Sequence, residues 1–397
     1  MKIKLMSLLV FCAIAVLLGF NFFNRSTTTP INYNNPVQKF NLSMVSAKKS
    51  IGELIAFTGV KHLDSTFYAL DNLQNIFITS NQMVAFDGRT DYIERLCFFD
   101  QTGGKLVNEV HFPKFNDGEL ASIRSVSYAP KEKCFYALAG GRQSIMKYAE
   151  TGELMSEVVI GMYGSRMEVL EDGTFLVEAG LNEAVESGYH RLLLFDQKGN
   201  ILQRFFPYKA QPEEFLMSDC GILSKIGATI HYSWPFNDTV YTYVNGVFSP
   251  ELIASFERDA VSEDDRLSAE IAKNGSYIKN SFLLSDFALF NNLMIFAYLN
   301  GASQKALAFI NTQTGEYVNS RDAIPDELSG ILMSTDIVGF DGETIIFQIT
   351  SKRAKRILSV NGPDIDKMKK DSPGMYTALT DASLCKNPSL FYFKVRP

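Results

Sequence analysis

The chain has 397 residues, of which 46% are hydrophobic and 21% charged, and its formal net charge is −6. This length and composition exclude a mini-protein, a disordered chain and a cysteine-dense disulfide scaffold. Three of the 38 basic residues, Lys2, Lys4 and Arg25, and none of the 44 acidic residues lie in the first 25 positions. The chain after residue 25 is therefore more acidic than the whole sequence. This excludes general nucleic-acid binding, because that function needs a broad basic surface.

The N-terminal residues 1–25 have the pattern of an export segment. Lys2 and Lys4 precede an uncharged apolar run from Leu5 to Phe20, which is the order of parts in a signal peptide. No convincing small-x-small cleavage site follows the run. Because Leu5 to Phe23 is about the minimum length for a bilayer-spanning helix, an uncleaved anchor with cytoplasmic lysines is the alternative.

The next segment, residues 26–35, is polar and rich in chain breakers, which predicts a flexible spacer. The folded domain is expected over residues 36–397. Its four cysteines have spacings that give no disulfide framework: Cys97, Cys134, Cys220 and Cys385. Two of them, Cys97 and Cys134, lie in apolar, strand-like runs and are expected to be buried thiols.

A degenerate repeat runs through this domain: an apolar strand, a turn rich in Asp, Asn, Thr and Gly, and a second apolar strand. Five clear copies and a weaker sixth align on a turn glycine, and four of the five intervals between these glycines are 47 to 49 residues long. The aligned residues are Gly103, Gly152, Gly199, Gly246, Gly315 and Gly362. An Asp or Asn shortly before the Gly supplies a side-chain hydrogen-bond acceptor, and the Gly supplies the positive φ that tight turns need. With the strand candidates between hairpins, each unit holds four strands, as a propeller blade does.

Six hairpins at one per blade predict an all-β fold, a six-bladed β-propeller of four-stranded antiparallel blades. The long interval between Gly246 and Gly315 contains start and stop signals for a helix at 262–274, which predicts one short helical insertion in the fifth blade. The β-rich segment Pro388–Val395 near the C-terminus is expected to close the ring, because an open ring would leave an unpaired sheet edge.

Two stretches resemble a known family. Phe236–Pro250 (FNDTVYTYVNGVFSP) and Lys386–Pro397 (KNPSLFYFKVRP) look like the hallmarks of the six-bladed β-propeller family of exported Gram-negative proteins, and the FDxxG turns at Asp100 and Asp196 also fit. The resemblance covers the whole predicted domain and implies a fold similar to NHL-repeat propellers. Members are largely of unknown function and are often lipoproteins, whereas this chain lacks a cysteine placed for lipidation, since Cys12 lies inside the apolar run.

Catalytic and metal-binding motifs are absent from the sequence, and its histidines are not paired at metal-ligand spacing: His62, His111, His190 and His231. The polar trio at 237–239 is expected to satisfy backbone groups of a turn, with a polar binding site as the alternative. Trp234 is expected to pack in the core or rim, with an aromatic ligand platform as the alternative.

A basic segment at 352–370 is unusual in this acidic chain. Its first four cations flank the strand of the weak sixth hairpin and form the candidate binding patch: Lys352, Arg353, Lys355 and Arg356. Lysines at a strand edge often serve only to block aggregation. The alternative is a patch for an anionic glycan, a lipid surface or an acidic partner.

These features predict a non-enzymatic binding or scaffolding propeller at the cell envelope, in the periplasm or associated with a membrane through the N-terminal segment alone. The expected partner is an envelope protein or a glycan, with no nucleic acid and no cofactor, and the chain is expected to be a monomer. The alternative is a propeller enzyme of the lactonase or lyase type, in which dispersed side chains converge on a metal in the central channel. Convergence of acidic, Asn or His side chains on the axis would favour that alternative.

Overall fold

The computed structural model describes most of the predicted domain and a short stretch before it. The described residues are 28–33, 37–42, 49–64, 70, 73–88, 94–102, 104–112, 123–179, 187–208, 222–234, 237–255, 281–283, 287–290, 292–300, 304–320, 328, 336–359 and 363–396. The predicted export segment 1–25 and the helix expected at 262–274 lie outside them. Among the described helices, none has the length and apolar character needed to cross a membrane.

Six antiparallel sheets form the blades of a propeller, with the first strand of each blade innermost. Blade one comprises β3 to β6: Leu73–Ile78, Gln82–Gly88, Glu94–Asp100 and Leu106–His111. Blade two comprises β7 to β10: Ile123–Ala129, Cys134–Ala139, Ser144–Ala149 and Leu154–Val159. Blade three comprises β11 to β14: Gly164–Val169, Phe175–Ala179, His190–Phe195 and Ile201–Pro207.

The remaining blades depart slightly from this plan. Blade four comprises β15 to β18 and, on its outer edge, β1: Ile222–Ile226, Thr229–Ser233, Thr239–Val244, Val247–Ser255 and Gln38–Asn41. In blade five, β19 and β20 both pair with β21, followed by β22 and β23: Ser281–Leu283, Ala288–Phe290, Leu293–Asn300, Gln304–Asn311 and Tyr317–Asn319. Blade six comprises β24, β25, β26 and β2: Asp336–Asp341, Thr344–Ile349, Ser389–Val395 and Ile55–His62.

Blade six closes the ring with both ends of the domain. The C-terminal strand β26 pairs antiparallel with β25 on one side and with β2 on the other. Phe393 lies between its register partners Ile345 and Phe57, and its ring is 5.7 Å from that of Phe57 and 5.4 Å from that of Phe347. The closing role predicted for the C-terminal segment is thus confirmed.

The weak sixth hairpin predicted around Gly362 is wrong. Three helices connect β25 to β26 instead: α1 (Ser351–Ser359), α2 (Pro363–Asp371) and α3 (Pro373–Leu384). No third-to-fourth strand hairpin is needed here, because the fourth strand of this blade comes from the N-terminal side.

The sequence of α1 also has helical spacing. Ala354, Ile357 and Leu358 repeat at intervals of three and four residues and pack on the core between blades five and six. The segment is helical because its apolar side chains lie on one face, and because the N-terminal strand β2 already supplies the fourth strand of the blade.

Four of the other repeat turns join the third and fourth strands of blades two to five, as predicted, whereas Gly103 lies outside the described residues. Their glycines all have positive φ, for example 85° at Gly199, where a Cβ atom would lie 2.0 Å from the carbonyl oxygen of Val159. In the same turn Asp196 Oδ1 accepts the backbone N–H groups of Lys198 and Asn200, each at 2.8 Å. The aspartates of the repeat therefore stabilise turns.

Six hydrophobic clusters hold the ring together, one at each junction between neighbouring blades. Between blades one and two, for example, the rings of Phe98 and Phe135 lie edge to face with centroids 5.9 Å apart. Cys97 and Cys134 are buried free thiols in these junctions, as expected. Each blade is thus stabilised chiefly by packing against its two neighbours.

The two ends of the ring differ in the length of their connections. Connections between the first and second strands, and between the third and fourth, span two to five residues and lie at one end, the turn face. The strand ends that all other connections join lie at the opposite end, the loop face, and the longest of these connections spans the 39 residues 350–388. Because antiparallel strands alternate in direction, α1 to α3 lie on the loop face.

The residues before β2 run along the outer wall of the ring. The N–H of Thr29 donates to the carbonyl of Arg204 in blade three at 3.1 Å, and that of Asn32 donates to Phe248 in blade four at 2.9 Å. β1 then adds to β18 as a parallel fifth strand. Residues of the predicted spacer therefore contact blades three and four.

Candidate functional site: the central channel

The inner strands enclose a channel of about 830 Å³ that is lined from all six blades. β3, β7, β11, β15 and β24 form most of its wall, and Phe287 represents blade five. The exposed side chains of Gln74 and Arg124 lie at its loop-face end, so the channel meets solvent there. Its volume lies within the range of about 300–1,000 Å³ that is common for small-molecule sites.

A bulge recurs at the loop-face end of three inner strands. The pairing register shifts around the second residue of β3, β7 and β11, which is Gln74, Arg124 or Ser165. All three residues line the channel. Bulges turn side chains away from the regular pleat, and here they place polar groups at the mouth of the channel.

The cations near this mouth are held by aromatic and acidic neighbours. The guanidinium of Arg124 lies 4.9 Å from the ring centroid of Tyr163. Arg166 forms a 2.7 Å ion pair with Glu178, whose side chain is buried and also accepts the hydroxyl of Ser165 at 2.9 Å. The charge of Arg166 is thus compensated within the wall.

A carboxylate and an ammonium group lie nearer the turn face. Glu168 Oε2 accepts the hydroxyl of Ser127 at 2.6 Å, and Lys225 Nζ donates to the carbonyl of Val169 at 2.8 Å. Burial raises the pKa of Glu168 to about 7, although Ser127 and Lys225 act in the opposite direction. Burial also lowers the pKa of Lys225, against the attraction of Glu168. These groups come from three successive blades and can bind ions or exchange a proton near neutral pH.

Replacing Glu168 by Gln should remove a pH-dependent destabilisation. The folded carboxyl has a pKa of about 7 against an ordinary 4.5, so wild-type stability falls as the pH rises through this interval. We expect E168Q to unfold like wild type near pH 4.5 and to be more stable by about 1–3 kcal/mol at pH 8. Urea unfolding at both pH values measures this difference.

The matched control is E171Q, because Glu171 is an acid beside the same strand but lies at the surface, paired with Lys131 at 2.5 Å. Ion pairing lowers the pKa of Glu171, so E171Q should gain nothing as the pH rises. Equal pH profiles for E168Q and wild type would contradict the assignment.

The predicted basic patch lies elsewhere, on α1 rather than beside a hairpin strand. Lys352, Lys355 and Arg356 are exposed, whereas Arg353 is half-buried. These four side chains are not among the described residues that line the channel. The helix places the cations on its outer side, opposite the face that packs on the core.

The other residues singled out in the sequence have structural contacts. Asn237 both donates to the carbonyl of Thr239 at 3.0 Å and accepts its N–H at 3.3 Å. Trp234 stacks on Tyr241 with centroids 5.5 Å apart and rings 10° from parallel, and Arg191 covers it at 5.3 Å. These contacts agree with the turn and packing roles expected for them.

A metal site requires several converging ligands, and the described residues contain no group of three His, Cys, Asp or Glu side chains that could hold an ion. The channel groups around Glu168 were not predicted from the sequence. The sequence feature that pointed to them was the presence of polar residues within short predicted strands, such as the serines of β7. This feature was not sufficient, because the innermost strand of a blade can be recognised only in the assembled ring.

A family profile, the domain of unknown function DUF4934, matches residues 64–394. The chain belongs to the DUF4934 family. This match and the six-bladed fold confirm the family resemblance inferred from the sequence. No functionally curated protein matches this DUF4934 chain significantly.

Two solved structures from Bacteroides are similar in fold to this DUF4934 protein. One, from Bacteroides fragilis NCTC 9343, is described as a candidate exported protein; it has 14% identity and a TM-score of 0.67, over 91% of this chain and 100% of the other. The second is a member of the DUF4221 family from Bacteroides vulgatus ATCC 8482, with 7% identity and a TM-score of 0.51, over 86% and 97% of the two chains. At these identities the similarity shows a shared fold.

Proposed function

We propose that this DUF4934 protein is an extracytoplasmic, non-enzymatic binding protein of the cell envelope whose binding surface is the loop face with its central channel. The observation that carries the proposal is the channel of about 830 Å³, lined by polar and charged side chains from several blades. Long connections on the same face can vary while the blades hold their positions.

The extracytoplasmic location is supported by the apolar segment Leu5 to Phe20 behind two lysines. The Bacteroides fragilis protein of similar fold is itself described as a candidate for export. Exported proteins work outside the cytoplasm, where glycans and envelope proteins are the abundant partners.

The basic side of α1 supports an anionic glycan as the partner of the loop face. The apolar side chains of α1 pack on the blade core, so the helix has no free apolar face to insert into a lipid bilayer.

The experiment reverses the three exposed charges of α1 in K352E/K355E/R356E and measures retention on an immobilised anionic polysaccharide at low salt. We expect unchanged thermal stability and weaker retention, because exposed charges contribute little to folding but act on a charged partner. The matched control is K105E/K133E/K198E, which makes the same change in charge at exposed positions of the turn face. Equal retention of the two variants, or binding of α1 to anionic lipid vesicles instead, would contradict the glycan proposal.

A further inference from the structure

We infer that the central channel binds a small hydroxylated organic acid of the sugar-acid class, either free or as the terminal residue of an acidic glycan. This inference rests on the proposed function and names the ligand of its channel. Three features of the wall support it: an excess of cations, a group of hydroxyl and amide side chains, and one buried amide oxygen that has no hydrogen-bond partner among the described residues.

The charged side chains that line the channel favour an anion. Three are basic and one is acidic: Arg124, Arg166, Lys225 and Glu168. Because Glu178 compensates Arg166, Arg124 and Lys225 are the cations that can bind a ligand. Among the described residues, Glu94 attracts Arg124 and Glu168 attracts Lys225. The guanidinium of Arg124 lies over the ring of Tyr163, and its N–H groups can donate to a carboxylate. Lys225 Nζ has three hydrogens, of which one is donated to Val169.

The uncharged polar side chains favour hydroxyl groups on the same ligand. The lining includes the side chains of Asn75, Ser125 and Ser224, which are half-buried. The hydroxyls of Ser125 and Ser224 donate to the carbonyls of Met167 and Phe287, each at 3.3 Å. Their oxygens can still accept a hydrogen bond from a hydroxyl of the ligand.

Gln348 provides an independent sign of a missing ligand. This residue on β25 lines the channel and is only 7% exposed, and its Oε1 atom accepts no hydrogen bond from the described residues. An unsatisfied buried amide is destabilising, so natural proteins keep few of them. A rotation of the amide toward the lumen would let it accept a hydroxyl of the ligand.

The size of the channel agrees with this class of ligand. A volume of about 830 Å³ can hold one or two sugar residues together with water, and the mouth at Arg124 leaves a path for the rest of a glycan. A free sugar acid and a glycan terminus share the same carboxylate and hydroxyl chemistry.

The test is isothermal titration calorimetry of the purified full-length protein with glucuronate, with neutral glucose and with a short uronate oligosaccharide. We expect glucuronate to bind and glucose to bind at least about tenfold more weakly. Glucose lacks the carboxylate, and one charge-assisted hydrogen bond changes the affinity by about that factor. Tighter binding of the oligosaccharide than of glucuronate would indicate a glycan terminus, and equal binding a free sugar acid.

Variants of the wall make the inference specific. R124Q and K225Q should each weaken glucuronate about tenfold, whereas K198Q, at an exposed turn-face position, should not. Q348L should raise the melting temperature of the ligand-free protein and still weaken glucuronate, a combination that a purely structural role would not produce. Equal affinity for glucose and glucuronate, no glucuronate binding, or unchanged affinity in R124Q and K225Q would overturn the inference. The retention experiment on α1 tests the proposed function separately from these outcomes.

Discussion

Deletion of residues 388–397 is expected to prevent the protein from folding. The deletion removes all of β26, in which Leu390, Phe391 and Phe393 are fully buried. Burying three such side chains contributes roughly 5–9 kcal/mol, which is comparable to the whole stability of a typical domain. The loss also leaves β25 and β2 with unpaired edges, and such edges promote aggregation.

The measurement is β-type circular dichroism and thermal melting of the deletion variant, compared with a chain that lacks only residues 396–397. The shorter deletion leaves β26 intact and should melt near the wild-type temperature. Two point variants show whether a destabilisation comes from losing the buried contacts of β26 or only from shortening the chain. F393A should be destabilised by about 3–5 kcal/mol, whereas K394A, whose side chain is 59% exposed, should change little. A wild-type melt for the 388–397 deletion would refute closure by β26.

Replacing Arg95 by Met is expected to destabilise blade one by about 3–5 kcal/mol. Arg95 is completely buried, and its guanidinium donates to Asp87 Oδ2 at 3.0 and 3.1 Å and to Glu109 Oε1 at 2.5 Å. These acids lie on the strands to either side of it. The substitution leaves a carboxylate buried without its cation, which costs far more than the pair itself contributes.

Urea unfolding of R95M at pH 8 measures this loss. The double variant R95M/D87N should recover part of it, because the uncompensated buried charge is gone. K131M breaks an ion pair whose lysine is 70% exposed, so it should cost at most about 1 kcal/mol. If R95M and K131M were equally stable, the buried network would have no special role.

Local sequence patterns were sufficient for most of the architecture. The turn glycines and aspartates, such as Gly199 and Asp196, act through groups within a few residues of themselves. Their spacing therefore predicted the blades, and the β-rich C-terminus predicted closure. The basic patch could also be predicted, because the charges of its side chains can be read directly from the sequence.

Tertiary structure decided the rest. The segment around Gly362 contains turn residues similar to those of the repeat, yet it lies among helices because β2 already occupies the fourth position of blade six. The neighbours of Glu168 come from blades two and four, and its raised pKa follows from burial that exists only in the closed ring. The sequence of a strand specifies which side chains alternate between its two faces. The lining of the channel depends instead on which strand of each blade faces the axis, and this is determined only when the ring closes.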